Sequence, residues 1–414
     1  MTAKKIIVVS CLAATVASAV EWPMGELRKT PRVYPAAEYR TNDVEVAFLE
    51  GLPYKGRPTR MFCYWGVPKH APDAKVPGMV LVHGGGGSAF YRWVKYWNGR
   101  GYAAVSMDTC GCISGNVVGS EQRRHFRHEH GGPAGWGGFD TLDEDIKDQW
   151  MYHAVADAII GNSFIRSLPG VDPDRIGLTG VSWGGVITCV AAPVDDRVRF
   201  AAPVYGCGGF LGTSSMWDDV VTRMGSKVRD WEALWDPICY LPKVKAPILW
   251  LASSNDTAFD IRSLMRSYDA VKGEKSLSLK VRLGHTHGSV SENSPEIEAF
   301  ADSFCKGTRP LSRFGQMTFD RDSGRASAKV FSDASPGKVS LVYTCDKVEL
   351  RDRRLWNVVD TSFNAPKGIA EADISSGVAA FYFNAVDDRG LVFSSAVVDS
   401  AAHARLSAKA TADW

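Results

Sequence analysis

Several things are scarce in this chain, and each scarcity removes a class of protein. An excess of one charge sign is the first: 48 Lys and Arg stand against 46 Asp and Glu, a formal +2. Taking away Lys4 and Lys5 with the leader described below brings the balance to about zero. That argues against nucleic acid or an anionic membrane surface as partner. Long apolar runs are also missing. Past the leader none approaches the roughly 18 residues needed to span a bilayer. There is no internal repeat and no low-complexity tract. Ordered metal-ligand spacing is lacking as well. The densest histidine stretch, Arg123-Arg124-His125-Phe126-Arg127-His128-Glu129-His130, brings three histidines close but sets arginines beside them. Structural zinc wants four ligands at defined spacing, so this stretch reads as a polar lid or substrate-facing loop, with no metal and no cofactor expected.

What is present is 414 residues, 45% of them hydrophobic, enough for more than one buried core. The N-terminus has a basic start at Lys4 and Lys5, an apolar run from Ile6 to Val16, and Ala17-Ser18-Ala19. That order reads as a signal peptide over residues 1–19 and predicts a secreted or periplasmic protein. Val8-Val9-Ser10-Cys11 is a competing, lipobox-like reading that would anchor the chain at Cys11, although the apolar run before it is short for that. Eight cysteines follow the leader. Export permits disulfides, but sequence does not give the pairing. Cys189 reads as a small core residue.

In chain order, residues 44–68 alternate around Gly51-Leu52-Pro53 and Gly56-Arg57-Pro58, as antiparallel strands joined by a turn do. Continuous apolar runs at Pro77–Val82 and Tyr102–Met107 fit strands buried on both faces. The first runs into His83-Gly84-Gly85-Gly86-Gly87. Thr109–Phe139 has no periodicity and reads as a long insertion near a site. Helical spacing from Leu142 to Leu168 stops at Pro169-Gly170. Further strands are expected at 200–205, 247–252 and 277–283, and helices at 259–271 and 295–304. This alternation predicts an α/β fold with a mostly parallel sheet and helices on both faces over residues 20–308. From residue 309 to 414 the pattern turns to short alternating strands, as in a small C-terminal β-sandwich.

The chemistry concentrates at Gly180-Val181-Ser182-Trp183-Gly184, between the apolar stretch Ile176–Thr179 and a helix starting near Val186. A serine on so sharp a strand-to-helix turn is strained and needs Cβ-free neighbours. It stands at a helix N-terminus, where N–H groups can meet an oxyanion. The other parts follow in the required order. Asp256 lies just past the 247–252 strand, with Asp260 a weaker candidate expected inside the next helix. Gly284-His285-Thr286-His287-Gly288 follows the 277–283 strand. Counting four residues from that strand favours His287 as the base over His285, and the unused histidine would be a supporting or leaving-group contact. Oxyanion donors would be the N–H groups of Trp183 and of Gly85 in the glycine loop. His83 and Trp136 are candidate substrate contacts, and Trp150 and Trp183 could complete a stacking platform, although core packing is the commoner fate of a tryptophan.

The run His83-Gly-Gly-Gly-Gly, Val181-Ser182-Trp183-Gly184-Gly185, Asn255-Asp256 and His285-Thr-His287-Gly resembles the α/β-hydrolase superfamily. Within it the chain looks like the acetyl xylan esterase and prolyl-oligopeptidase-like branch. Asp148-Gln149-Trp150-Met-Tyr-His153 and Pro203-Val-Tyr205-Gly206-Cys207-Gly208 are similar to segments of that group. Tyr343-Thr344, Arg354-Leu-Trp356 and Tyr382-Phe-Asn384 are similar to exported bacterial members with a C-terminal β-domain. The resemblance covers residues 45–307 and implies a serine esterase acting on acetylated polysaccharide or a small ester. The alternatives are a serine peptidase of the same branch, disfavoured by a lead-in too short for a propeller, and a non-catalytic carbohydrate-binding protein on a hydrolase scaffold.

Overall fold

The computed structural model describes residues 20–41, 43–114, 125–135, 137–347 and 352–399. Residues 1–19, on which the signal-peptide and Cys11 readings fall, lie outside the described residues, as does Trp136.

A nine-stranded sheet carries the molecule. Its strands are β1 (Val33–Pro35), β2 (Glu45–Tyr54), β3 (Arg57–Gly66), β4 (Val76–Val82) and β5 (Ala103–Met107). After a small hairpin, β6 (Cys112–Ser114) and β7 (His125–Arg127), come β8 (Val171–Val181), β9 (Phe200–Val204), β10 (Ile248–Ser253) and β11 (Lys275–Lys280). The order across the sheet is β1-β2-β3-β5-β4-β8-β9-β10-β11. The first three strands pair antiparallel, and from β5 to β11 every pairing is parallel. β2 and β3 turn over at Lys55 and Gly56, both at positive φ, as a tight hairpin requires. The parallel strands are the continuous apolar ones: β5, β9 and β10 are buried at every position, as a doubly covered sheet demands.

The helices are α1 (Met24–Leu27), α2 (Tyr91–Gly99), α3 (Trp150–Ser167), α4 (Trp183–Val194), α5 (Met216–Arg223), α6 (Val228–Trp235), α7 (Ile261–Ala270), α8 (Ser289–Glu292) and α9 (Pro295–Lys306). α3 packs on α4 against β4 and β8. α2 is tied to α9 through Arg100, which reaches Glu298 at 2.7 Å and Asp302 at 3.2 Å. The helix expected from Leu142 starts only at Trp150. A 3-10 turn at Ile146–Asp148 precedes it and leaves Ile146 exposed. The strand expected at 277–283 ends earlier, at Lys280, because Arg282 turns to φ 54°.

Beyond α9 the chain forms two small antiparallel sheets. The first joins β12 (Arg313–Asp320), β13 (Arg325–Phe331), β16 (Ser362–Asn364) and β17 (Ile369–Asp373). The second joins β14 (Lys338–Thr344), β15 (Asn357–Asp360), β18 (Ala380–Val386), β19 (Val392–Ser394) and β20 (Val398–Asp399). They share a second core containing Phe314, Val330, Leu341, Phe381, Phe383 and Phe393. This unit adjoins the open edge of the large sheet at β11, where Leu279 N–H donates to Ser394 Oγ at 2.9 Å. An edge strand left bare would offer unpaired backbone, so covering it also protects the sheet.

Candidate active site

Each part of the site stands at the C-terminal end of a parallel strand, the rim where open α/β sheets carry ligands. β8 ends at Val181, and Ser182 is held at φ 59°, ψ −119°, outside the regions a non-glycine residue favours. Such a conformation costs about 1–3 kcal/mol and persists because its surroundings enforce it. Here Ser182 N–H donates to Val204 O at 2.8 Å. The flanking glycines have a steric reason. A Cβ on Gly180 would meet Gly184 O at 2.2 Å, one on Gly184 would meet Val82 O at 2.2 Å, and one on Gly185 would meet Gly206 Cα at 2.8 Å.

β10 delivers Asp256 and the β11–α8 loop delivers the histidine. His285 Nδ1 lies 2.7 Å from Asp256 Oδ2, and His285 Nε2 lies 2.9 Å from Ser182 Oγ. Asp256 Oδ1 accepts from the N–H groups of Ala258 and Phe259 at 2.8 and 2.9 Å. Its side chain is 1% exposed, whereas that of His285 is 30% exposed. A buried carboxylate with every oxygen engaged is a fixed partner for the imidazole. The structure thus corrects the preference for His287, which joins neither Ser182 nor Asp256. Because β11 stops at Lys280, the loop reaches the serine at His285. Asp260 is likewise placed elsewhere: it caps α7, accepting from Ser263 N–H and Ser214 N–H at 2.9 and 2.8 Å.

The ring of His285 is clamped by residues that pattern reading did not single out. Tyr205, itself at φ 63°, stacks on it with centroids 4.6 Å apart, and Phe259 lies on it at 6.0 Å. The Tyr205 hydroxyl donates to Gly284 O at 2.8 Å, and burial pushes its pKa up to about 12, so it stays protonated and a donor. The sequence signals for Tyr205 were its place at the end of the expected 200–205 strand and the resemblance of Pro203–Gly208 to segments of the group; the structure ends β9 at Val204 and sets Tyr205 on the same rim.

The glycine loop lies against the serine. Gly87 N–H donates to Gly84 O at 3.0 Å, closing a turn with Gly86 at φ 66°. A Cβ on Gly84 would stand 2.9 Å from Ser182 Cβ. Gly85 lies inside that turn, and Trp183 opens α4. His83 is not a substrate-facing residue. It is 2% exposed, with Nδ1 2.7 Å from Gly84 O and Nε2 accepting from Thr109 N–H at 3.0 Å, so it braces the loop from below. Trp150 is 2% exposed, with Nε1 donating to Thr109 O at 2.8 Å, and Trp183 is 1% exposed. Both are core residues, not a stacking platform. Trp183 instead anchors a cluster of rings with Phe139 at 5.4 Å, Trp217 at 4.7 Å, Phe210 at 6.2 Å and Phe259 at 6.4 Å. Among the described residues no group of His, Cys, Asp and Glu is placed to hold a metal ion.

Two family models match, and together they span the sheet and its site. One is described as acetyl xylan esterase (AXE1) and matches residues 22–212, and the other as the prolyl oligopeptidase family and matches residues 135–307. Ser182 falls in both, Asp256 and His285 in the second. Rat acylamino-acid-releasing enzyme is 24% identical over 266 residues, 57% of this chain and 31% of that protein. The uncharacterized peptidase YuxL of Bacillus subtilis is 24% identical over 216 residues, 48% of this chain and 29% of that one. The chain therefore spans about a third of the length of the curated relatives it matches. An acetyl xylan esterase from Paenibacillus sp. R4 superposes with a TM-score of 0.52 at 20% identity, covering 68% of this chain and 92% of that one. That likeness speaks to the fold. With the strand order, the elbow and both family matches pointing one way, the chain is an enzyme of the α/β-hydrolase type, a serine hydrolase similar over these residues to the acetyl xylan esterase and prolyl oligopeptidase families.

Proposed function

We propose that this hydrolase is an esterase that removes small acyl groups, acetyl foremost, from carbohydrate. The observation that carries the chemistry is the chain Asp256–His285–Ser182, closed at 2.7 and 2.9 Å. Ser182 Oγ attacks the ester carbonyl while His285 Nε2 takes its proton. Asp256 Oδ2 holds the other ring nitrogen, fixes the tautomer and faces the imidazolium as it forms. His285 then gives the proton to the leaving alcohol. Water, deprotonated by the same nitrogen, releases the acid from the acyl-enzyme. Trp183 N–H, at the positive end of α4, and Gly85 N–H are the proposed oxyanion donors, and one such donor contributes about 3 kcal/mol.

The rings packed around Trp183 favour a short acyl group, since they fill the space beside the elbow with aromatic carbon. The match of residues 22–212 to acetyl xylan esterases supports a carbohydrate ester. The leader at 1–19 supports export to where such polymers lie, and no helix among the described residues is long and apolar enough to cross a membrane. The two C-terminal sheets, sharing their own core, are read as a β-sandwich. A second reading, hydrolysis of acylated peptides, rests on the match of residues 135–307 and on the acylamino-acid-releasing relatives.

Acetate release from acetylated xylan and from p-nitrophenyl acetate, with Ser182→Ala as control, tests the proposal. Release from both that vanishes in the variant is expected. Turnover of acetyl-alanyl peptides with acetylated xylan untouched would sink the carbohydrate reading and support the second. Undiminished hydrolysis by Ser182→Ala would remove the serine mechanism itself.

A further inference from the structure

The reaction above leaves one histidine of the site loop unused. His287 has a side chain only 10% exposed, set between the ring of Phe90, with centroids 5.5 Å apart, and the glycine loop. A Cβ on Gly84 would stand 2.6 Å from His287 Nε2, 2.7 Å from Val181 O and 2.9 Å from Ser182 Cβ. The notch that glycine leaves is thus occupied by the Nε2 edge of the imidazole, and the same notch borders the nucleophile. On its far side His287 Nδ1 faces Glu292 Oε1 at 3.5 Å. Glu292 is fixed in turn, its N–H donating to Gly288 O at 2.8 Å and its carbonyl accepting from Trp93 Nε1 at 2.9 Å. Neither ring nitrogen of His287 has a hydrogen-bond partner among the described residues. Burying a polar ring in that state weakens the fold, and an apolar side chain of similar size would fill the space without the penalty. A costly group set beside the reacting atoms calls for a role there.

We infer that His287 is a positioning residue for the oxyanion loop. Wedged into the Gly84 notch and backed by Glu292 and Phe90, the ring fixes the direction of the Gly84–Gly85 peptide, whose N–H is the proposed donor. One loop therefore serves both halves of the site, with His285 turned to the serine and His287 to the glycines. The inference rests on the triad reading and extends it. No proton transfer is assigned to His287. Its effect belongs to the transition state, when the oxyanion presses on the loop, and not to substrate binding.

The test uses the full chain, with kcat and KM on p-nitrophenyl acetate from pH 6 to 9. Inhibition by an alkylboronic acid, whose adduct with the serine places an oxygen in the oxyanion site, is measured alongside. His287→Ala is expected to lower kcat on the order of 10-fold to 100-fold with KM within two-fold, and to weaken the boronate in proportion. His287→Gln keeps a planar side chain of similar reach in the Gly84 notch and should restore most of both. Glu292→Gln, which leaves the glycine loop untouched, should lower kcat several-fold with KM unchanged. A His287→Ala enzyme with kcat within two-fold of the native overturns the inference. So does equal loss in the Ala and Gln variants with boronate affinity unchanged, which would mark the ring as packing alone. If His287→Ala does not fold, Glu292→Gln decides, and a native kcat in that variant overturns the inference. These failures are separable from failure of the triad, because Ser182→Ala remains dead in every one of them.

Discussion

Asn255 ties the loop bearing the triad carboxylate to the C-terminal sheets, and its removal has a calculable consequence. Its Nδ2 donates to Asp352 O at 3.0 Å and to Arg354 O at 2.9 Å, nearly a hundred residues along the chain. Its Oδ1 accepts from Ser254 Oγ at 2.6 Å, which fixes which way round the amide sits. Arg354 O keeps a second donor in Arg282 Nη2 at 3.2 Å. The two bonds to the C-terminal sheets have a net value of roughly 0.5–1.5 kcal/mol each, and one of them has a substitute donor. They give about 1–2 kcal/mol for Asn255→Ala, the Ser254 hydroxyl being left its contact with Arg282 N–H. Asn255→Asp is worse, because it turns a carboxylate toward two carbonyl oxygens. The kinetic effect is smaller than the position next to Asp256 implies. Asp256 keeps its bonds from Ala258, Phe259 and His285, so kcat should fall by less than about 10-fold, whereas loss of a triad aspartate costs about 10⁴-fold. Urea midpoints and kcat on p-nitrophenyl acetate for the native chain and both variants measure this. An Asn255→Asp protein as stable as the native one would refute the latch, and a collapse of kcat in Asn255→Ala would show that the acid's own hydrogen bonds do not hold it.

Other outcomes follow from the same geometry. His285→Ala should lower kcat on p-nitrophenyl acetate about 10⁴-fold or more, far beyond His287→Ala; similar losses in the two would undo the assignment of the base. Phe139→Ala opens the ring cluster beside Trp183, and the ratio of butyrate to acetate ester turnover should rise about 10-fold, since one methylene is worth roughly 1–3 kcal/mol in a fitted pocket; an unchanged ratio would place the acyl group elsewhere. Burial pushes the His153 imidazole down to about 4, so in the folded chain it stays neutral where the unfolded chain protonates. Its share of stability is therefore present above pH 6.5 and lost as pH falls toward 4, and His153→Phe should flatten that limb in urea titrations at stepped pH. A limb identical in the variant would assign acid sensitivity to other groups.

What was legible in the sequence, and what was not, divides along a physical line. The parallel strands were readable because burial on both faces leaves only apolar residues, and β4, β5 and β9 fall within a residue or two of where the runs placed them. The elbow was readable because backbone contact at Gly180, Gly184 and Gly185 admits no side chain. The pairing of the histidine was not. It depended on where β11 ends, and the apolar residues Val281 and Leu283 continue the strand pattern past Lys280 although Arg282 has already turned the chain. An alternating pattern records which residues are apolar, not which remain hydrogen-bonded to a neighbouring strand. His83 failed for a related reason: a histidine before a glycine loop looks the same whether its ring faces substrate or supports the loop, and only the bond from Thr109, 26 residues on, decides it. The same holds for Asn255 and Tyr205, whose partners Asp352 and Gly284 are brought to them by the fold alone. Local sterics write themselves into short motifs, while the residues that orient a catalytic group act over long sequence separation. For that reason the nucleophile of this site could be read from five residues, and its base could not be chosen between two.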